Sequence, residues 1–162
     1  MALYQPDIPG NAGAMMRTAT CLGVACDIIG PPGFVLSDRK LRRAGMDYLE
    51  GLEMTTHDSW EAFLAGRDKG RLVLLTTRAA TPYWEFTFLA DDILLVGQET
   101  AGVPAAVHGA ADARVRVPMA EGARSLNVAQ ALAMVLGEAL RQTNGFPNES
   151  TNESTNESRG DG

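Results

Sequence analysis

The stretches "RLVLLTT" (residues 71–77) and "DILLVG" (92–97) are apolar at successive positions, without the polar alternation of a strand that has one wet face. A strand of that kind has to be covered on both sides, which calls for a parallel sheet with helices on each face. "DIIG" (27–30), "ARVRVP" (113–118) and a short "ALY" near the start read as further strands. Between them, "NAGAMMRTATCLG" (11–23) and "DSWEAFLAG" (58–66) have helical spacing, the second with Asp58 and Glu61 placed as a capping pair. Such alternation predicts an α/β domain with a mostly parallel sheet.

The last helix, "SLNVAQALAMVLGEALRQ" (125–142), is unusual in its breadth. Val128, Leu132, Val135 and Leu136 form one stripe, yet Leu126, Ala129, Ala131, Ala133, Met134 and Ala139 carry apolar character around most of the circumference. Either the helix belongs to a subunit interface as well as a core, or it is an intramolecular core helix buried on several sides.

A chain of 162 residues fits one domain, here residues 1–145. The remainder, 146–162, is a low-complexity tail: "NESTNESTNESRGDG" offers nothing to bury and is expected to be disordered. Its N-x-S sequons (Asn148, Asn152, Asn156) and its "RGD" carry no weight without a secretory signal. No apolar run approaches the roughly 20 residues that span a bilayer, so no membrane association is expected. Cys21 and Cys26 fit no zinc spacing; they read as reduced thiols of a cytoplasmic protein, and no metal site is expected.

The net charge of −6 argues against a nucleic-acid partner only until it is localised. Glu149, Glu153, Glu157 and Asp161, against Arg159, put half of that excess in the tail. The basic residues, by contrast, cluster: "DRKLRRAG" places Arg39, Lys40, Arg42 and Arg43 close together. That cluster is either a phosphate-binding patch or a solvated helix face.

The chemistry begins at "GQETAGVP" (97–104), the bend that follows "ILLV". Gly97 and Gly102 match the glycines of a phosphate-binding G-x-x-x-x-G-K-[ST] loop, but Val103 stands where its lysine must be. No G-x-G-x-x-G fingerprint occurs either, and Glu99 would repel a phosphate. The loop suits a neutral or cationic ligand held through backbone groups. Two other loops follow strands in the same style, at "LLTT" (74–77) and "VRVPMAEGARS" (115–125), so the three can converge beyond the carboxyl ends of a parallel sheet. An adenosine-type ligand is the reading those loops allow. Ser125 and Asn127 serve either as helix caps or as pocket groups, and in "PGNAGAMMR" Asn11 reads alone as an N-cap and Arg17 as a surface charge.

Taken together, "PGNAGAMMR", "VGQETAGVP" and "RSLNVAQALA" resemble, in order and separation, the three motifs of the SPOUT RNA methyltransferases. With "LRRAGMDY" (41–48) and the opening "LYQPDIPGN", the likeness is narrower, to the TrmL group, whose members methylate the 2′-oxygen of the wobble cytidine or modified uridine in leucine tRNAs. It covers nearly all of the chain except the tail. The resemblance implies an α/β fold whose C-terminal segment threads a loop as a trefoil knot. It implies a homodimer, with S-adenosylmethionine as cofactor and S-adenosylhomocysteine as product. Carried over by motif, Leu75, Gly97, Gly102, Val117, Met119, Ser125 and Leu126 hold the cofactor, and Arg39, Lys40, Arg42 and Arg43 hold RNA.

For catalysis the same resemblance implies Arg17, supplied from the partner subunit, with Asn11, Glu99, Ser125 and Asn127 shaping the pocket. A guanidinium stays protonated to a pH above ~12, so Arg17 is read as an orienting, charge-stabilising group rather than a base. His57 and His108 fall in no motif and are read as incidental. Gln98 and Thr100 depart from the arginine and serine that many relatives of the wider family carry, and the tail has no family counterpart. The rival expectations are 2′-O-methylation of ribosomal RNA or of another tRNA position, and a catalytically silent RNA- or nucleotide-binding module on the same fold.

Overall fold

The computed structural model describes residues 1–35, 51–67 and 69–147. The basic cluster Arg39, Lys40, Arg42 and Arg43, the "LRRAGMDY" motif and the tail from residue 148 lie outside them. Among the described residues, the strands are β1 (Ala2–Tyr4), β2 (Cys26–Ile29), β3 (Met54–His57), β4 (Leu72–Leu75), β5 (Ile93–Val96) and β6 (Ala113–Val115). They form one sheet in the order β3-β2-β1-β5-β4-β6, and every pairing is parallel. The helices are α1 (Pro9–Leu22), α2 (Trp60–Gly66), α3 (Ala105–Ala110) and α4 (Val128–Thr143), with a 3-10 turn at Tyr83–Glu85.

The unbroken apolar runs do what their composition requires. Successive side chains of a strand point to opposite faces. Val73, Leu94 and Val96 accordingly join one core with Met15, Met16 and Ala19 of α1 and Leu132, Val135 and Leu136 of α4. Leu72, Leu74 and Leu95 join the other, with Phe63 of α2 and Val107 of α3. The sheet is thus a middle layer, and its carboxyl ends share one rim.

Several boundaries differ from the sequence reading. α1 begins at Pro9, favoured at a first helical position because its missing N–H is one of the donors a helix start leaves unpaired, and it ends on Gly23 in the left-handed region (φ 64°). Asn11 therefore lies inside the first turn instead of capping it. α2 is capped by Ser59, whose hydroxyl accepts from the Ala62 amide, in place of Asp58. α4 starts at Val128, so Ser125 and Leu126 belong to the preceding loop; Asn127 is its cap, accepting from the amides of Ala129 (2.9 Å) and Gln130 (3.3 Å). The strand "MTTH", the short helix α3 and the 3-10 turn were not anticipated. β3 is a polar edge strand and carries no apolar signal; it is held by its register on β2 and by His57 Nε2 against Asp27 Oδ1 at 2.7 Å.

β6 is hydrogen-bonded along both edges near its carboxyl end. Thr76 donates its amide to the Val115 carbonyl (2.9 Å), while Arg116 donates to Thr81 (3.0 Å) and accepts from Tyr83 (2.9 Å). The chain leaving β4 therefore runs down one side of residues 115–116 and returns along the other. Gln142, near the end of α4, fastens the same excursion, accepting from Phe88 N (2.9 Å) and donating to the Phe86 carbonyl (3.0 Å).

Beyond β5 the chain closes on itself. Gln98 and Gly102 exchange amide bonds of 3.0 and 2.8 Å, and Gly102 turns the corner with φ 67°, a left-handed conformation that glycine adopts without steric cost. A methyl group on Gly97 would lie 2.5 Å from the Gly102 carbonyl carbon and 2.7 Å from a Val103 methyl. Backbone must move to admit it. Gly97→Ala is expected to lower unfolding stability by about 1–3 kcal/mol in urea titration, the usual cost of forcing a methyl into a closed site.

Candidate active site

The three loops foreseen from the sequence meet at the carboxyl rim of β4, β5 and β6, around a cavity of about 520 Å³. That volume lies in the range of small-ligand pockets. Its walls come from Leu75 and Thr76 after β4, from Gly97, Glu99 and Gly102 after β5, and from Val117, Met119 and Leu126 after β6. Asn11, Ser125 and Asn127 line it as well. Every residue expected to hold a cofactor is thus brought to one cavity, together with four of the five expected to shape the reaction.

Arg17 is placed elsewhere, exposed on α1 and outside that lining. The basic residues 39, 40, 42 and 43 lie outside the described residues. His108, set aside on sequence grounds, turns out to edge the cavity. Its Nδ1 accepts from Arg114 Nε at 3.2 Å, which leaves the ring proton on Nε2, and that atom is buried without a partner among the described residues. No sequence signal pointed to His108 or Arg114, because the contact joins a short helix to an adjacent strand.

The polar side of the cavity is built around two asparagines. Asn127 Nδ2 donates to Asn11 Oδ1 at 2.9 Å, across 116 positions of sequence, while the Asn127 carbonyl oxygen caps α4. One side chain therefore fixes both the start of α4 and the first turn of α1. Asn11 in turn neighbours the Glu99 carboxyl.

Glu99 is the electrostatic oddity. Both of its carboxyl oxygens are sealed from solvent with no hydrogen-bond partner among the described residues. Burial, then the adjacent Asp7, push its pKa up, with Asn11 pulling the other way. Asp7 shows the opposite balance. Burial raises it, but the nearby Glu99 side chain and the bonds from the Thr100 hydroxyl and the Glu99 amide outweigh burial and hold its carboxyl at about 2. Two neighbouring carboxyls are thus shifted in opposite directions, Asp7 down and Glu99 up.

The donor set also limits what can bind. Among the described residues no lysine lines the cavity, its cationic side chains being Arg78 and Arg124, and no group of His, Cys, Asp or Glu could hold a metal. Gly97 presents backbone where a side chain would intrude, and Gly102 beside it needs its left-handed φ. The apolar and backbone part of this surface suits a flat, uncharged ring system, and the buried Glu99 carboxyl suits a cationic centre.

Comparison with known proteins agrees with this geometry. The family model described as the SpoU rRNA Methylase family matches residues 1–137. A protein of Beijerinckia indica named tRNA (cytidine(34)-2'-O)-methyltransferase is 60% identical over 144 residues, covering 88% of this chain and 90% of its own. Among solved structures, one described as "Structural insights into the 2-OH methylation of C/U34 on tRNA" superposes with TM-score 0.83 at 40% identity, over 87% of this chain and 93% of its own. The SpoU methyltransferase AviRb of Streptomyces viridochromogenes, in complex with the cofactor AdoMet, reaches TM-score 0.76 at 32% identity, over 87% of this chain and 58% of its own. With a family match across most of its length and relatives alike over nearly all of theirs, the chain belongs to the SpoU rRNA methylase family.

Proposed function

We propose that this protein transfers a methyl group from S-adenosylmethionine to the ribose 2′-oxygen of the wobble nucleotide of tRNA, leucine tRNAs being its substrates, and that it acts as a homodimer. The observation that carries the reading is the cavity itself. Backbone and apolar groups from three loops meet the Asn11–Asn127 pair and Glu99, in a chain 60% identical to a protein of that name.

S-adenosylmethionine fits the residues present. A Cβ on Gly97 would collide with the Gly102 backbone, so that turn lines the cavity with backbone alone, and the buried Glu99 carboxyl tolerates a cationic sulfonium nucleoside. Leu75, Gly97, Gly102, Val117, Met119, Ser125 and Leu126 would hold it. When bound, it supplies an electrophilic methyl group and leaves as S-adenosylhomocysteine. Everything else falls to the chain. Asn11 and Asn127 fix the polar rim, and Met119 and Leu126 border the cavity with partly exposed apolar surface, at 36% each. Ser125 contributes a hydroxyl at the same edge.

The acceptor hydroxyl has to be aligned and relieved of its proton, tasks that positioning and charge stabilisation perform. Arg17, exposed on α1, serves that purpose from the partner subunit, orienting the hydroxyl and the neighbouring phosphate. Support for the dimer comes from α1 and α4, which pack side by side and leave Ala14, Arg17, Ala133 and Met134 exposed. The two-edged bonding of residues 115–116 supports a trefoil knot, in which the C-terminal segment passes through the loop leaving β4. Arg39, Lys40, Arg42 and Arg43 hold the anticodon stem.

Labelled methyl transfer to unmodified and native leucine tRNA, with nucleoside mapping, tests the assignment. Label on the wobble 2′-oxygen is expected; label on ribosomal RNA or at another tRNA position would replace it, and no transfer with S-adenosylhomocysteine still bound would leave a silent binding module. Arg17→Ala is expected to lower kcat by about two orders of magnitude, the scale of a lost positioning group, with S-adenosylhomocysteine affinity kept. Binding to tRNA should weaken as salt rises, and each alanine among the four basic residues should flatten the log–log salt slope by roughly one.

A further inference from the structure

Asp7 stands in the loop between β1 and α1, within the opening "LYQPDIPGN", and has no role assigned to it above. Its carboxylate is spent on the loop after β5: Oδ1 accepts from the Glu99 amide at 3.0 Å, and Oδ2 accepts from the Thr100 hydroxyl. The same two loops touch again where Gln98 Nε2 donates to Gln5 Oε1 at 3.4 Å. Gln5 itself is held in the left-handed region (φ 43°), uncommon for a residue with a side chain, and its amide donates to Ile29 at 2.8 Å. On the other side of the loop, Pro6 accepts from the Gly33 amide at 2.9 Å, and a Cβ on Gly33 would approach the Asp7 backbone to 3.0 Å. The Asp7 loop is therefore braced from behind and grips the Glu99–Thr100 corner in front.

We propose that Asp7 is a positioning residue for the methyl transfer, clamping the Glu99–Thr100 corner so that the Glu99 carboxyl is presented beside Asn11 at the cavity. The inference rests on the functional reading above. It explains why a buried carboxyl with no donor of its own stays at the site. A glutamate free to rotate would seek solvent, whereas one whose amide is bonded to Asp7, and whose neighbouring hydroxyl is bonded to the same carboxylate, is held at the pocket wall. The charge of Asp7 acts in the same direction: together with burial it raises the Glu99 pKa and biases that carboxyl toward its neutral form.

Two substitutions separate geometry from charge. Asp7→Asn keeps an acceptor for the Glu99 amide, and its Nδ2 can donate to the Thr100 oxygen, so the corner survives while the charge is lost. Asp7→Ala removes both. The readouts are the S-adenosylhomocysteine Kd by calorimetry, kcat and KM for tRNA methylation, and the Tm, all on the full chain. Asp7→Ala is expected to lower kcat at least ~10-fold with KM for tRNA within about threefold, as for a group that acts on the transition state more than on binding. Asp7→Asn is expected to keep the cofactor Kd within about twofold of wild type, because the clamp geometry remains, while kcat stays depressed for want of the charge beside Glu99. Asp7→Ala with wild-type kcat would overturn the proposal. So would equal losses of Tm and of cofactor binding in both variants, which would make Asp7 a scaffold residue only. A wild-type chain that neither bound S-adenosylhomocysteine nor methylated tRNA would instead sink the functional reading, so the two failures are distinct.

Discussion

All pairings in this sheet are parallel, and that constraint governs the rest of the molecule. Parallel strands send every carboxyl end to the same rim, so the loops after β4, β5 and β6 have no choice but to gather there. They also require crossovers, which cover both faces and exclude water from the runs at 72–75 and 93–96. The cavity is a by-product of this arrangement. Its position follows from strand direction, and its chemistry from the few residues the loops carry.

Those loops are held by backbone hydrogen bonds. Gln98 and Gly102 close one with two amide bonds, and residues 115–116 are clasped on both edges by the chain leaving β4. A site made largely of backbone cannot rely on side-chain flexibility to fit its ligand, so its precision has to come from the bonding around it. The same reasoning explains the polar contacts that span the sequence. Asn127 reaches Asn11, and Asp7 reaches Glu99 and Thr100, across 116, 92 and 93 positions respectively. Each ties a loop at the cavity to the first turn of α1 or the loop before it, so the amino-terminal element serves as the fixed wall against which the other two are set.

This division explains what could be read in advance. The apolar runs announced β4 and β5 because burial on both faces leaves a compositional mark, and the glycines of "GQETAGVP" announced a bend because few other residues tolerate it. Gly97, Glu99 and Leu75 reached the cavity as expected, the last two by resemblance as much as by spacing. β3 left no such mark, since "MTTH" is an exposed edge strand whose place is decided by pairing with β2. Asn11 was misread as a cap because Pro9 two residues earlier is a stronger start signal, and Asp58 because Ser59 beside it makes the bond. Asp7 and His108 were missed for a different reason. Their partners, Glu99 and Thr100 for one and Arg114 for the other, are set by the packing of separate elements, and no local pattern encodes them.

The pairing of Asp7 with Glu99 bears on the reaction in a way the apolar walls do not. A buried carboxyl unassisted by donors would cost several kcal/mol to ionise, so the fold keeps it near a second carboxylate that is itself fully bonded. One acid is thereby stabilised as an anion by the loop it holds, and the other is biased toward its neutral form by the anion beside it. Were Glu99 ionised, its desolvation would favour a nearby cation and attract a sulfonium in the ground state. Burial and the Asp7 carboxylate bias it toward the neutral form, which weakens that attraction. The cavity thus joins backbone and apolar walls, the guanidinium groups of Arg78 and Arg124, and one such acid whose loop is held in place from the amino-terminal segment.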